Sequence, residues 1–345
     1  MLIIRPIETN DYPALYQIAQ DSGIGFTSLP VNEELLKNKI AESIKAFNSN
    51  PQRAGEQSYL LVMEDTQTGE VVGTSGIEAT VGLQDAFYHY HVGKVVHASR
   101  ELNVHNTVDI LTFCNDYSGV SEICTLFLQE KARKGLAGRL LSKCRFLFMA
   151  QHQQRFADIV IAEMRGVSDE RGKSPFWEWL EDHFFSVDFP TADYLTGIGN
   201  KVFIAELMPK YPIYVNLLSK AAQNCIGQVH DKTLPALRML EKEGFKCRGY
   251  VDIFDAGPTV EADVSNIATV RQSHEASVEI STNTELDDCD EHFIINSEVA
   301  SFRACIGRIK ILDNNKVAIS EKLAKALLVK EGATIRYAHN SLQHY

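Results

Sequence analysis

Two observations predict an α+β fold for this 345-residue chain. Through the first 270 residues, apolar segments with a 3.6-residue period are interleaved with short apolar runs. After about residue 290, short strand-like runs dominate. The expected division is a domain over 1–270 with a substrate-covering insertion around 165–200, a linker over 271–290, and a small β-rich C-terminal subdomain over 291–345. Hydrophobic content of 45% is enough for a real core.

Taken in order, "LIIRPI" predicts a strand, and "TNDYPALYQIAQDSG" a helix capped by Asn10 or Asp11 and ended near Gly23. A second helix places Leu35, Leu36, Ile40, Ile44 and Phe47 at helical spacing. "SYLLVMEDTQTGEVVGTSGIEATV" reads as a hairpin turning at Thr68-Gly69. Residues 82–120 read as less regular, although "HYHVGKVVH" can alternate along a strand. "EICTLFLQEKARKGLAGRLLSKCRF" (122–146) reads as strand, basic turn and helix, with one buried face at Leu136, Leu140, Leu141, Cys144, Leu147 and Phe148. "ADIVIAEM" and "KVFIAELM" predict strands at 157–164 and 201–208. The long aromatic segment between them is the insertion. "DKTLPALRMLEKEGF" predicts a helix stopped by Gly244, and "CRGYVDIFDAGPTV" a final strand of the first domain. In the C-terminal part, "HFIINS", "RACIGRIKIL" and "ATIRYAH" predict strands, with one short helix after Ser320 ended by Gly332.

A formal net charge of −11 argues against nucleic acid, whose phosphates need a basic footprint. Seven cysteines without a C-x-x-C pair read as reduced and cytoplasmic rather than as a disulfide frame or zinc site. No histidine spacing suggests a metal. The N-terminal stretch carries Arg5 and no long apolar run, so no signal peptide is expected. No stretch approaches the roughly 20 apolar residues of a membrane span.

Chemistry concentrates first in "RKGLAG" (133–138). The first turn of a helix leaves four backbone N–H groups unpartnered and carries about half a positive charge. Glycine lets that backbone approach a pyrophosphate closely. Arg133, Lys134 and Arg139 add charge. The Walker and dinucleotide-binding glycine patterns are both absent. A helix with a solvated basic first turn is the alternative.

The order of elements, with this turn and with "IIRPIETND" and "ALRMLEKEGF" flanking, resembles the GNAT-type acyl-CoA N-acyltransferases, whose R/Q-x-x-G-x-G/A turn binds the coenzyme A pyrophosphate. That resemblance implies a mixed, mostly antiparallel central sheet flanked by helices. The words "GFTSLP", "VHASRELNV", "SEICTLFL", "LLSKCRFLFMA", "AEMRGVSDERGKSPFW", "FIAELMPKYPIY", "IGQVH" and "YVDIFDAGPT" are similar to the arginine N-succinyltransferase family. The match spreads over roughly residues 1–275, and the family carries an extra all-β subdomain beyond it. Many relatives have R-K-E-G-N-G at the phosphate turn. Here the central glycine falls on Leu136, a glycine sits one place early at Gly135, and Gly138 is retained.

The resemblance implies transfer of the acyl group of succinyl-CoA, as co-substrate, to the α-amine of L-arginine. No permanently bound cofactor, metal, nucleic acid or membrane is implied, and a homo- or hetero-oligomer is expected. The family's donor contact falls on Leu126, whose backbone can pair with pantetheine amides while its side chain packs in the core. Arg133, Lys134 and Gly138 fall on the phosphate turn. The family's catalytic proton donor falls on His230, and an imidazole can take or give a proton at neutral pH. Glu122, Glu163, Asp252 and Asp255 are candidates for the guanidinium. Arg165, or Arg100 with His97, is a candidate for the succinyl carboxylate. Thr27 and Ser28 are candidates for lining the amino-acid pocket. A subunit accepting both arginine and ornithine, and a non-catalytic partner of the same fold, are the competing readings.

Overall fold

The computed structural model describes residues 1–23, 28–281 and 286–340. The chain opens with β1 (Leu2–Pro6), α1 (Tyr12–Ser22) and α2 (Glu33–Phe47). Asp11 holds the N-cap position of α1, but its carboxylate does not cap that helix. It takes two bonds from the buried Arg5 guanidinium, at 2.7 and 2.9 Å, and one from the Glu8 N–H. The α2 cap is a side-chain cap: Asn32 Oδ1 accepts from the Leu35 N–H. The expected hairpin is β2 (Ser58–Asp65) and β3 (Glu70–Glu78).

Residues 82–120, read as irregular, hold a long hairpin instead: β4 (His89–Ser99) and β5 (Val104–Cys114), eleven residue pairs in continuous register. Much of it is solvent-facing and polar, so the period-two hydrophobic signal is weak there. Next come β6 (Ser121–Leu128), α3 (Ala137–Gln151) and β7 (Ile159–Glu163). The insertion folds as α4 (Pro175–Leu180) and α5 (Phe189–Gly197) around the buried Trp177. Residues 201–208 are not the expected strand: Val202–Leu207 is a helix, α6, with Val202 exposed and only Ile204 buried. A short apolar run cannot by itself decide between the two conformations.

The first domain closes with β8 (Ile213–Tyr214), α7 (Lys220–Cys225), α8 (Leu234–Glu243), β9 (Lys246–Val251), β10 (Pro258–Asp263) and α9 (Ala268–Arg271). Gly244 ends α8 at φ +103°, a conformation that suits only glycine well. The final strand expected over 247–260 is two strands, with a tight turn at Asp252–Gly257. The stretch expected as a linker contains β11 (His274–Ser281). Its polar alternation is that of a strand with one wet face. Beyond it lie β12 (Glu291–Asn296), β13 (Ala304–Arg308), β14 (Lys310–Leu312), β15 (Lys316–Ser320), α10 (Glu321–Leu327) and β16 (Thr334–His339). The α10 helix ends at Leu328 in a left-handed conformation, before Gly332.

Sixteen strands among the described residues form one mixed sheet, in the order β14-β15-β11-β16-β12-β13-β1-β2-β3-β6-β7-β10-β9-β4-β5-β8. Among the described residues only β6–β7 and β11–β15 pair in parallel. The C-terminal strands therefore continue the central sheet through β13–β1. They also pack on α3, with Phe293, Phe302, Ala304 and Ala338 joining the core that holds Leu140, Leu147 and Phe148. Covered on both sides, α3 is buried from Leu140 to Ala150, not along one face. Even Lys143 is enclosed, paired with Glu243 at 2.8 Å. No helix among the described residues is long and apolar enough to cross a membrane.

Candidate active site

The site arises where two parallel neighbours part. β6 and β7 are in register only at Ser121–Val160 and Glu122–Ile161. Beyond that point β6 runs on along β3 to Leu128, while β7 follows β10 to Glu163. The strands diverge, and a cleft of about 1220 Å³ opens between their facing edges. It is bordered by β6 from Glu122 onward, by Ala162–Arg165, and by Phe189 and Asp193 from the insertion.

Midway, β6 carries a bulge. Gly76 faces Cys124 and Thr74 faces Phe127, so Thr125 and Leu126 together oppose one residue. Thr125 sits at φ +55°, a strained position for a β-branched residue. A bulge leaves backbone groups outside the ladder. Here they belong to the strand that borders the cleft, and Leu126 is one of its lining residues.

Past Leu128 the chain enters the basic turn. Arg133 lines the cleft and donates from Nε to the Leu128 carbonyl at 2.9 Å. Lys134 is exposed on the same turn and is not a lining residue. Gly135, not Leu136, takes the left-handed conformation, at φ +54°. Leu136 at φ −97° needs no glycine. The early glycine therefore serves the turn, one residue before the position at which the family pattern has its glycine. Leu136 gives α3 no side-chain cap, and no acidic residue occupies its first turn. Gly138 lies in that first turn, in open space beside Leu128. The arrangement leaves partial positive charge facing solvent, as an anion site requires.

The opposite end is acidic. Glu122, Glu163, Asp252 and Asp255 border the cleft. Glu163 is open to the cleft but enclosed on its other sides, and burial with Asp252 pushes its carboxyl up to about 8, against Lys201. Glu122 is held well above the usual carboxylate range by burial, Glu163 and Glu78, against Lys39 and Lys201. His89 is fully buried, with Nε2 at 3.0 Å from Glu163 Oε1 but not aligned as a hydrogen bond. Burial pushes His89 down to about 4, so its ring is neutral at pH 7. Asp255 is committed elsewhere: its two oxygens accept from the Gly166 and Gly257 N–H groups at 2.7 and 2.8 Å. A Cβ on Gly257 would meet the Met164 carbonyl at 2.1 Å, so this junction demands glycine. Asp252 likewise accepts from Phe254 and Asp255 N–H groups.

That junction sets the third wall. Gly166 bridges to Val229, and the His230 N–H donates to the Arg165 carbonyl at 2.9 Å. His230 lies just outside the lining, between the lining residues Arg165 and Lys232. Its Nδ1 accepts from the Lys232 N–H at 3.1 Å, so the neutral ring presents Nε2–H. Burial, Arg165 and Lys232 lower its pKa, against Asp231. Arg165 lines the cleft and donates to Ser168 Oγ at 3.0 Å. Ser28 also lines it, whereas Thr27 lies outside the described residues. Arg100 and His97 belong to the β4–β5 hairpin and do not line the cleft.

Among the lining residues that the sequence reading did not single out is Arg145, which lies in the family-like word "LLSKCRFLFMA" and whose guanidinium is buried against the cleft. A cation in the middle of an apolar helical run was the available signal.

Residues 2–269 match the family described as arginine N-succinyltransferase beta subunit, and residues 274–339 match its C-terminal domain. The chain is 45% identical over 342 residues to arginine N-succinyltransferase subunit beta of Pseudomonas aeruginosa, covering 99% of each. It is 47% identical over 337 residues to arginine N-succinyltransferase of Escherichia coli strain 55989, covering 97% of each. It is also similar to the solved structure of arginine/ornithine succinyltransferase subunit AI from Pseudomonas aeruginosa, with 37% identity, a TM-score of 0.89 and 98% of each chain covered.

Proposed function

The chain belongs to the arginine N-succinyltransferase family, and from that premise we propose that it transfers the succinyl group of succinyl-CoA to the α-amine of L-arginine. The observation that carries the reading is a single cleft with an anion-ready turn at one end and clustered carboxylates at the other.

The pyrophosphate of the donor sits on the first turn of α3, with Arg133, Lys134 and the open backbone at Gly138 around it. The pantetheine lies along β6, pairing its amides with backbone near Leu126. This puts the thioester carbonyl at the bulge, whose freed N–H groups stabilise the oxyanion. Arginine enters from the acidic end with its guanidinium between Glu122 and Glu163, and Ser28 borders its path. The amine attacks the thioester carbon, a C–N bond forms, and the C–S bond breaks as the tetrahedral intermediate collapses. The amine sheds one proton and the departing thiolate gains one. A neutral His230, favoured by its lowered pKa, takes up the first, and the imidazolium hands one to sulfur. An imidazolium donates from both nitrogens, so the 3.1 Å bond from Lys232 to Nδ1 is given up at that step.

The test is free-thiol release with succinyl-CoA and L-arginine, beside acetyl-CoA and L-ornithine controls. Fast turnover only with the first pair is expected, and none with any pair would overturn the reading. A second reading, acceptance of ornithine as well, draws on the 37% identity to a subunit named for both amino acids. An ornithine ammonium also suits the carboxylates, and equal kcat/KM for the two acceptors would select that reading. Relatives named as subunits favour an oligomer, which light scattering would measure. The substrates favour a cytoplasmic location.

A further inference from the structure

Building on the succinyl-transfer reading, we propose that Arg145 is the donor-specificity residue: it receives the distal carboxylate of the acyl chain and makes this a site for dicarboxylic acyl thioesters.

Arg145 lies eight residues past the start of α3, about 12 Å back along the helix from the phosphate turn. That brings it level with the bulged part of β6, where its Nη1 is 3.4 Å from the Cys124 carbonyl. Its side chain borders the cleft while the residue is only 2% exposed. Every bond it makes is to a neutral oxygen and is long: Nε to Ser142 O at 3.2 Å, Nη2 to Ser142 Oγ at 3.2 Å, and the Cys124 contact. It has no ion pair among the described residues.

Other buried cations differ. Arg5 meets Asp11 and Glu64, and Lys143, two residues from Arg145 on the same helix, meets Glu243. Arg155 also has no carboxylate partner among the described residues, but it bonds Ser49 O and Tyr59 Oη at 2.8 and 3.1 Å and lies off the cleft. Arg145 alone of these four borders the cleft. Burial without a counter-charge pushes it down to about 10. A buried cation is costly unless an anion completes it. A succinyl thioester supplies one two methylenes beyond its carbonyl, and the guanidinium fork suits a carboxylate. The other basic groups of the cleft are placed for different work: Lys131 and Arg133 at the phosphate end, Arg165 and Lys232 beside His230.

The test compares succinyl-CoA with butyryl-CoA, which ends in a methyl where succinyl has its carboxylate, for the native chain, R145M and R145K. Two readouts are taken: kcat/KM with arginine, and the thermal shift from each donor without acceptor. In R145M, kcat/KM for succinyl-CoA is expected to fall about 100-fold, with butyryl-CoA changed less than about 3-fold. The extra thermal protection by succinyl-CoA should fall to that of butyryl-CoA. Equal losses with both donors, or persistence of the extra protection, would overturn the proposal. Should the native chain turn over neither donor while R145M abolishes the extra protection, the carboxylate subsite stands and the transfer reading falls. If R145M does not fold, R145K decides: it keeps the charge but not the fork, so a loss confined to succinyl-CoA supports the subsite, and equal losses or none refute it.

Discussion

The two ends of the cleft carry opposite charge and are built by opposite means. The basic end is one continuous stretch, Leu128 to Arg139, exposed and held by local geometry at Gly135 and the α3 start. The acidic end gathers Glu122, Glu163, Asp252 and His89 from four strands or turns far apart in sequence, with His89 fully buried against Glu163 and the carboxylates opening to the cleft. A solvated cation attracts a phosphate weakly and is screened by salt. Desolvated carboxylates that repel one another hold a cation far more selectively. The donor end should thus tolerate substitution, and the acceptor end should not.

Breaking the wall between the ends should have the largest effect. His230→Ala is expected to lower kcat by about 100-fold or more, with the KM of both substrates little changed. A matched rise in both KM values would show that it only shapes the cleft. Next comes the acidic end. The double variant Glu122→Gln, Glu163→Gln is expected to lower kcat/KM for arginine about 100-fold while leaving the thermal shift by succinyl-CoA intact. Loss of that shift would erase the distinction between the ends.

A pH series sharpens the same contrast. The folded pKa of Glu163 is raised from 4.5 to about 8. Its contribution to stability is therefore complete below pH 4.5 and lost as pH rises through about 8. His89 works in the other window: its folded pKa is depressed, so its contribution is lost only as pH falls from about 6.5 through about 4. Between pH 6.5 and 8.5 the ligand-free chain should lose thermal stability, and Glu163→Gln should flatten the slope. Arginine binding near pH 7 should release protons, measured by calorimetry in buffers of different ionisation enthalpy, and the variant should release fewer. An unchanged slope and proton count would remove Glu163 from the acceptor pocket.

The smallest effect belongs to the exposed turn. Arg133→Ala with Lys134→Ala is expected to raise KM for succinyl-CoA about 3- to 10-fold at low salt, with the difference shrinking at high salt. A larger, salt-independent rise would mean that the turn is as buried as the acidic end when the donor is bound.

What could be read from the chain follows the same division. The β2–β3 hairpin, α2, the Gly244 stop and the strand–turn–helix at 122–146 lie where their residues place them, because each signal spans a few turns of chain. The misreadings came where local pattern was ambiguous or overridden. Val202–Leu207 chose helix over strand, and the polar β4–β5 hairpin and β11 carried little hydrophobic contrast. The candidate residues Glu122, Arg165 and Ser28 were named separately, and no spacing could say that they meet at one cleft.

The sequence by itself determined the local elements, the basic turn and the family to which the chain belongs. Only the tertiary structure decided three further things. It parted β6 from β7, it wrapped the C-terminal strands over α3, and it brought Arg145, Glu122 and Glu163 to one cleft, Arg145 with no ion pair among the described residues. The reason is physical. Helix period, caps and turns are set by neighbours a few residues away, whereas the cost of a buried charge depends on everything the fold packs around it.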